Sequence, residues 1–366
     1  MRYAARVPWP ILLNLRLRCH HTSCAGIHTP TAPGSKKFMN LGIETWLPRI
    51  WLTRGWHSTA LLPLSWVYEG LVMCRQMLYR TGIFKSETVN ATVIVVGNIV
   101  AGGGGKTPLT MAIVAHLKQS GYRVGIVSRG YGRSHQEVRE VEPQSLAQEV
   151  GDEPLMMKRR CQVPVFVARR RAEAAKALLA AYPATQIVVC DDGLQHYALA
   201  REIEICAMDA RGVGNGRLLP AGPLREPWPR AVDLLIHTSQ RSMAMGYGSS
   251  RELASEAVDA SGAVKPLQDL QSHAVNAVAA IAQPHLFFDM LQAQGLRLGQ
   301  TFALPDHANF EDWTPPDGNT PLLCTEKDAV KLWPRHPHVW AVPLEFTPEA
   351  AFWTALEALI QGRHKL

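Results

Sequence analysis

One stretch limits what this chain can fold into more than any other. Val93, Ile94, Val95 and Val96 form a short β-branched apolar run. It leads through Gly97, Asn98, Ile99, Val100 and Ala101 into four consecutive glycines, Gly102, Gly103, Gly104 and Gly105, then Lys106 and Thr107. An apolar-periodic helical pattern follows over residues 108–119. Strand, glycine loop, Lys-Thr and helix in that order are the layout of a phosphate cradle. Glycine N–H groups can close on phosphate oxygens because no Cβ intervenes, and the helix N-terminus adds positive potential. Lys106 is placed to reach the β- and γ-phosphates of a nucleotide, and the Thr107 hydroxyl to ligate Mg²⁺. Pro108 falls in the first helical turn, where a missing N–H costs little. The pattern G-x-x-x-x-G-K-[ST] asks for glycine at position 100, where the chain has Val100. The plainer alternative is a glycine-rich turn between a strand and a helix.

A second buried-type strand, Ile187 through Val189 and Cys190, ends on Asp191 and Asp192. Carboxylates at the C-terminal end of a parallel strand sit beside the phosphate loop of its neighbour, where a phosphate-loop enzyme needs an acid for Mg²⁺. Asp-Asp-Gly is also ordinary turn composition. Between these segments, Val124, Gly125, Ile126 and Val127 run into Ser128-Arg129-Gly130-Tyr131-Gly132-Arg133. Arg129 and Arg133 beside flexible glycines at a strand end suit an anion site. Gly151-Asp152-Glu153-Pro154 opens a further helical pattern. Asp152 and Glu153 are either caps of that helix, or Asp152 is a base that accepts a hydroxyl proton during phosphoryl transfer.

Strand-like runs at 92–97, 123–127, 163–168, 186–190, 203–208 and 233–238 alternate with helical patterns such as 108–119 and 170–181. This βαβ series predicts an α/β fold, a P-loop-type parallel sheet with flanking helices. Residues 239–272 carry Ser, Gly and charge without a clear period, and read as a linker or irregular insertion. A second series follows, with strands at 274–281, 321–324 and 339–345 and helices at 284–294, 326–332 and 348–361. The expected organisation is a kinase-like core over 86–240, the insertion over 241–272, and a smaller α/β C-terminal lobe over 273–366, with the nucleotide between lobes.

Charge is unevenly placed. The chain carries net +7, yet residues 1–80 contain 10 Lys+Arg and two acids, net +8, and the rest is close to neutral. A nucleic-acid partner would want its basic patch on the folded body, so none is expected. Trp46, Trp51, Trp56 and Trp66 share the basic segment, and tryptophan with arginine favours a bilayer interface. Over residues 60–80, Ala60, Leu64, Val67, Leu71, Cys74 and Leu78 recur at helical spacing, with Ser65, Glu69, Gln76 and Arg80 on the other face. Glu69 and Arg75 interrupt a spanning run, so residues 39–85 predict an interfacial helix on a membrane surface. The alternative is a helix packed on the protein's own core. Residues 1–38 show no periodic pattern and read as a non-native or disordered extension. The seven cysteines include no Cys-x-x-Cys pair, a reduced-compartment pattern.

With these residues set out, the chain resembles the tetraacyldisaccharide 4'-kinase family, which phosphorylates the lipid A disaccharide in Gram-negative bacteria. The resemblance spans residues 61–331. It rests on the glycine loop, the Ser128-Arg129-Gly130-Tyr131-Gly132 and Gly151-Asp152-Glu153-Pro154 motifs, and the run from Asp191 to His196. It also includes residues 215–226, Pro305-Asp306-His307 and residues 325–331. The family's loop also lacks the first glycine and usually carries Thr or Ser there. The resemblance implies ATP and Mg²⁺, with Val100, Ala101, Gly102, Gly103, Gly104, Gly105, Lys106 and Thr107 around the nucleotide. It makes Asp152 the acid/base, paired with His307, which from sequence alone reads as a surface turn. Thr107, Glu153, Asp191 and Asp192 are the expected metal side. Arg129, Arg133, Gln195, His196 and Arg225 are the expected glycolipid side. The expected reaction is γ-phosphoryl transfer from ATP to the 4'-hydroxyl of tetraacyldisaccharide 1-phosphate, at the cytoplasmic face of the bacterial inner membrane. A membrane-docked ATPase switch acting on a protein partner is the rival reading.

Overall fold

The computed structural model describes residues 50–103, 105–239, 245–315 and 320–364. The extension over residues 1–38, the start of the 39–85 segment with Trp46, and Gly104 of the glycine loop lie outside the described residues. Two helices come first, α1 (Trp56–Ala60) and α2 (Leu62–Arg80). The larger lobe then alternates β1 (Thr92–Gly97), α3 (Lys106–Gln119), β2 (Val124–Ser128), β3 (Arg139–Glu140), α4 (Ala147–Val150), α5 (Asp152–Cys161), β4 (Val165–Val167), α6 (Arg171–Ala181), β5 (Ile187–Asp191), β6 (Ile203–Met208) and β7 (Leu234–His237). They form a seven-stranded sheet in the order β3-β4-β2-β5-β1-β6-β7. Every pairing in it is parallel except that of β3 with β4.

Both faces of this sheet are covered, as a parallel sheet requires. In β1, Ile94 and Val96 pack with Leu109 and Ile113 of α3, while Val93 and Val95 point the other way, towards Ala175 and Leu178 of α6. Cys190 and Cys206 are fully buried core residues.

The chain then crosses on β8 (Ser249–Leu253) to a smaller lobe. Its elements are β9 (Glu256–Val258), β10 (Val264–Pro266), β11 (Ala274–Ala279), α7 (Pro284–Ala293), β12 (Arg297–Ala303), β13 (Leu322–Thr325), α8 (Glu326–Leu332) and β14 (Trp340–Val342). The six strands run β10-β9-β14-β13-β11-β12. The return strand β15 (Leu344–Pro348) pairs antiparallel with β8, so a two-stranded ribbon joins the lobes. Helix α9 (Ala350–His364) then packs Phe352, Leu356 and Ile360 back into the larger lobe's core.

Three differences from the expected organisation follow. The expected linker contains β8, β9 and β10, because short polar ribbon and edge strands have no apolar alternation to reveal them. The run 339–345 divides into β14 and β15 at Pro343. The last helix belongs by packing to the first sheet, not to the smaller lobe.

Helix α2 has the inverse of a soluble helix's orientation. Its polar groups face the protein. The Ser65 hydroxyl donates to the Leu218 carbonyl at 2.9 Å, the Tyr68 hydroxyl to the Arg225 carbonyl at 3.0 Å, and the Gln76 amide to the Tyr197 hydroxyl at 3.1 Å. Its apolar stripe faces out, with Leu64 58 %, Val67 60 % and Leu71 66 % exposed. The alternative of a helix buried by its apolar face on the protein's own core is therefore not what the structure has. No helix among the described residues is long and apolar enough to cross a membrane.

Candidate active site

Strand register brings the two strongest sequence signals together. Val96 at the end of β1 pairs with Asp191 at the end of β5, so the glycine loop and the aspartate pair leave the sheet side by side. Gly105, at the N-cap of α3, has φ +71°, and a Cβ there would collide with the Arg251 guanidinium. The loop is tied from outside. The Ala101 N–H donates to the Pro223 carbonyl at 2.8 Å, and Arg211 donates to the Gly103 carbonyl at 3.1 Å. Val100 is buried and bridges Leu224, so this position faces the core. That explains why it carries an apolar residue where the common pattern has glycine.

Lys106 projects over the loop, with its Nζ 3.4 Å from Asn98 Oδ1 and 3.5 Å from Asp192 Oδ1. Thr107 is buried in the first turn of α3. The Thr110 hydroxyl donates to Asp191 Oδ1 at 2.9 Å. Burial, with the nearby charges of Glu153 and Asp192, raises the Asp191 carboxyl to about 7. Burial also acts on Asp192, but Lys106, Arg225 and Arg171 outweigh it and hold that carboxyl below its ordinary range. Among the described residues, no three His, Cys, Asp or Glu side chains are grouped to hold a metal ion by themselves. The donor set instead suits Mg²⁺, which takes one or two carboxylates and completes its shell with phosphate oxygens and water. The carboxylates that crowd Asp191 are what such a cation would relieve.

Asp152 stands at the first residue of α5. The N-cap of that helix is Gly151, which makes no side-chain capping bond. Asp152 follows the N-cap, and its Oδ1 accepts the Glu153 N–H of the first turn at 2.9 Å, so a part of the capping reading stands beside the contact to His307. Its Oδ2 lies 2.9 Å from Nδ1 of His307, which reaches it from the smaller lobe. Gly151 packs so closely on Gly130 that a Cβ on it would sit 3.0 Å from the Gly130 Cα. This contact sets the Ser128-Arg129-Gly130-Tyr131-Gly132 turn against the head of α5, and the Tyr131 ring lies 5.3 Å from the His307 ring. Burial pushes the Asp152 carboxyl up, yet His307, Lys327 and Lys331 together hold it below its ordinary value. The same hydrogen bond raises His307, against the effect of burial.

A cleft of about 920 Å³ lies between the lobes, lined among others by Lys106, Arg129, Asp192, Gln195, Arg225 and His307. Tyr68 and Arg75 of α2 close one side, so the helix with the outward apolar stripe also walls the site. Arg225 pairs with Asp192 at 3.3 Å. Gln195 donates to the Asn98 carbonyl at 3.0 Å. His196 is contacted by the Arg171 guanidinium, and burial with that charge drives its pKa down to about 3. His196 therefore enters the site as a neutral ring. Glu153 lines the cleft, with Lys327 3.6 Å away. Arg133 is the exception among the expected residues. It folds beneath Gly130, away from the cleft lining, with both terminal nitrogens buried and no hydrogen-bond partner among the described residues.

Several residues at the site had no role read for them in the sequence, although residues 325–331 carry part of the resemblance. Arg171 is almost fully buried and donates to the Asp192 carbonyl at 3.0 Å. Lys327 and Lys331, one helical turn apart on α8, both reach the Asp152–His307 pair. Their i, i+4 spacing was legible, but it is also the spacing of any solvated helix face.

The family model for tetraacyldisaccharide-1-P 4'-kinase matches residues 57–361. The tetraacyldisaccharide 4'-kinase of Acidovorax sp. (strain JS42) is 56% identical over 311 residues, covering 84% of this chain and 92% of that protein. That of Polaromonas naphthalenivorans is 54% identical over 324 residues, covering 86% and 94%. The crystal structure of LpxK from Aquifex aeolicus in complex with ATP is similar with a TM-score of 0.74 at 30% identity, covering 83% of this chain and 98% of that one. The chain belongs to the tetraacyldisaccharide 4'-kinase family.

Proposed function

We propose that this protein transfers the γ-phosphoryl group of ATP to the 4'-hydroxyl of tetraacyldisaccharide 1-phosphate, giving lipid IVA in lipid A biosynthesis. The observation that carries the proposal is Asp152 hydrogen-bonded to His307, which lines the same cleft as Gly102, Gly103 and Lys106 of the phosphate loop. A base paired to a residue of the cleft wall, with a phosphate cradle lining the same cleft, suits in-line transfer to an alcohol.

The loop from Val100 to Thr107, with Lys106 at its end, would hold the triphosphate. Lys106 neutralises charge that builds on the transferring group. Thr107, Asp191, Asp192 and Glu153 are the groups available to Mg²⁺, which when bound supplies charge neutralisation on the phosphate oxygens. Asp152 accepts the sugar hydroxyl's proton, and its depressed pKa keeps it ionised and ready. Arg129 and Arg225, with Gln195 and His196, face the glycolipid side of the cleft. Arg133 acts there at most by supporting the Arg129 turn. The outward stripe of α2, continuous with the cleft wall at Tyr68 and Arg75, supports docking on a membrane surface. That brings the site to a substrate whose acyl chains stay in the bilayer. The need for ATP favours the cytoplasmic face of the inner membrane as the working side.

The test is product identity. Purified protein, Mg-ATP and tetraacyldisaccharide 1-phosphate in detergent micelles should give a glycolipid heavier by one phosphate, carried on the 4' oxygen. Unchanged glycolipid, or phosphate at another oxygen, contradicts the proposal.

A further inference from the structure

Two nitrogen contacts decide how the His307 ring is protonated. Nδ1 faces Asp152 Oδ2 at 2.9 Å. Nε2 faces Lys327 Nζ at 3.2 Å, while the nearest carboxylate to Nε2, Asp306 Oδ1, is 3.9 Å away and beyond hydrogen-bond reach. An ammonium has three donors and no acceptor. Lys327 Nζ also lies 3.1 Å from Asp306 Oδ1 and 3.6 Å from Glu153 Oε1, carboxylate partners that suit an ammonium. With the ammonium donating, Nε2 is the acceptor and the ring's one proton sits on Nδ1, the charge of Lys327 opposing the second protonation that Asp152 favours.

We propose that Lys327 is a positioning residue that acts through His307. By donating to Nε2, it fixes the neutral Nδ1–H tautomer. The imidazole then donates to Asp152 Oδ2 and, with the Glu153 N–H on Oδ1, holds the carboxylate in one orientation. The inference rests on the reading of Asp152 as the base and deepens it.

The surrounding structure is built to hold this contact. His307 has φ +61°, a left-handed conformation uncommon outside glycine. Its N–H donates to the Ala280 carbonyl at 3.2 Å. The Ala280 N–H in turn donates at 2.9 Å to Asp328, the residue next to Lys327. Asp328 is fully buried and also accepts the Thr325 hydroxyl at 2.7 Å. One junction at the end of β11 thus fixes both the histidine and the helix that carries Lys327. Lys331, on the same face of α8, lies 3.7 Å from Asp152 Oδ2 and 3.3 Å from Asp328 Oδ1, and adds charge beneath the carboxylate. Lys327, Lys331 and His307 all come from the smaller lobe, whereas Asp152 and Glu153 come from the larger. The orienting contacts therefore exist only with the lobes together.

Tautomer and rate are read on the full-length protein. In histidine labelled with ¹⁵N, the His307 resonances are assigned by their loss in His307→Gln. The wild-type ring should show a protonated Nδ1 and an unprotonated Nε2. Lys327→Met keeps the aliphatic stem and removes the donor. It should shift the ring towards the Nε2–H tautomer and lower kcat by about tenfold or more, with KM for Mg-ATP changed by less than about twofold. Lys327→Arg restores a donor and should recover the Nδ1–H signature and most of kcat. A tautomer unchanged in Lys327→Met, or a kcat loss that Lys327→Arg does not relieve, would overturn the proposal. Failure of the base reading is seen separately, as an active Asp152→Asn, and leaves the ring signature of Lys327→Met unaltered as a readout.

Discussion

Replacing Asp152 with asparagine separates proton acceptance from shape. The Asp152→Asn variant would keep the side chain's volume and one oxygen for the Glu153 N–H, which Oδ1 now accepts at 2.9 Å. It would lose the negative charge. Lys331 lies 3.7 Å from Asp152 Oδ2, a separation worth about 4 kcal/mol at an effective dielectric near 20. Most of that is offset by the desolvation that burying the carboxylate costs, and Lys331 retains Asp328 at 3.3 Å. The melting temperature should therefore move by only a few degrees. The chemical step should suffer far more, because an amide cannot take the hydroxyl proton. The expected fall in kcat is about 10²–10⁴-fold, or about 3–5 kcal/mol in the barrier. Initial rates at saturating Mg-ATP and glycolipid measure it, with the KM for Mg-ATP as an internal check on assembly. A well-folded Asp152→Asn with kcat within about twofold of wild type would refute the reasoning.

Three further outcomes follow from the geometry. Lys106→Ala should abolish transfer with the fold intact, since Nζ is the cation that projects over the glycine loop; near-normal turnover in a folded variant would remove that role. Asp191, raised to about 7, binds its proton more tightly in the folded state than in the unfolded chain. Its contribution to stability is therefore full below about pH 4 and lost as pH rises through about 7. Urea unfolding in chelator at pH 5 and 8 should show that loss, and Asp191→Asn should flatten it; equal slopes in both proteins would contradict the assignment. Leu71→Glu with Met77→Glu, both on the outward face of α2, should weaken sedimentation with anionic phospholipid vesicles, and unchanged binding would move the docking surface elsewhere.

The larger lobe was legible because its strands are buried on both faces. Thr92–Gly97 and Ile203–Met208 read directly as apolar β-branched runs with the bounds the structure gives. Strand Arg297–Ala303 was not legible: it lies at the sheet edge, mostly exposed, and mixes Gly and Gln with Leu and Phe. The return of Ala350–His364 to the first sheet is a tertiary choice that a local helical period cannot encode. At the site, Lys106 and the aspartate pair were readable because parallel topology puts adjacent strand ends together. Arg133 shows the limit of that argument, since a loop arginine one turn from Arg129 can fold under its own glycine. His307 was visible only through family resemblance, for its role comes from a residue 155 positions away. Lys327 and Lys331 lie in a stretch that carries the resemblance, but their spacing alone is that of solvent lysines. Only the docking of α8 on α5 turns them inward.

The most direct test of the account is the coupling between ATP consumption and glycolipid phosphorylation. ADP release and phosphorylated product are counted in the same reaction with purified protein, Mg-ATP and tetraacyldisaccharide 1-phosphate. A kinase that pairs its base with a residue of the cleft holding the phosphate loop should release one ADP for each product formed and almost none without the glycolipid. Sustained ADP release without glycolipid, or release that a protein partner stimulates and the glycolipid does not, would instead mark an ATPase switch and contradict the account.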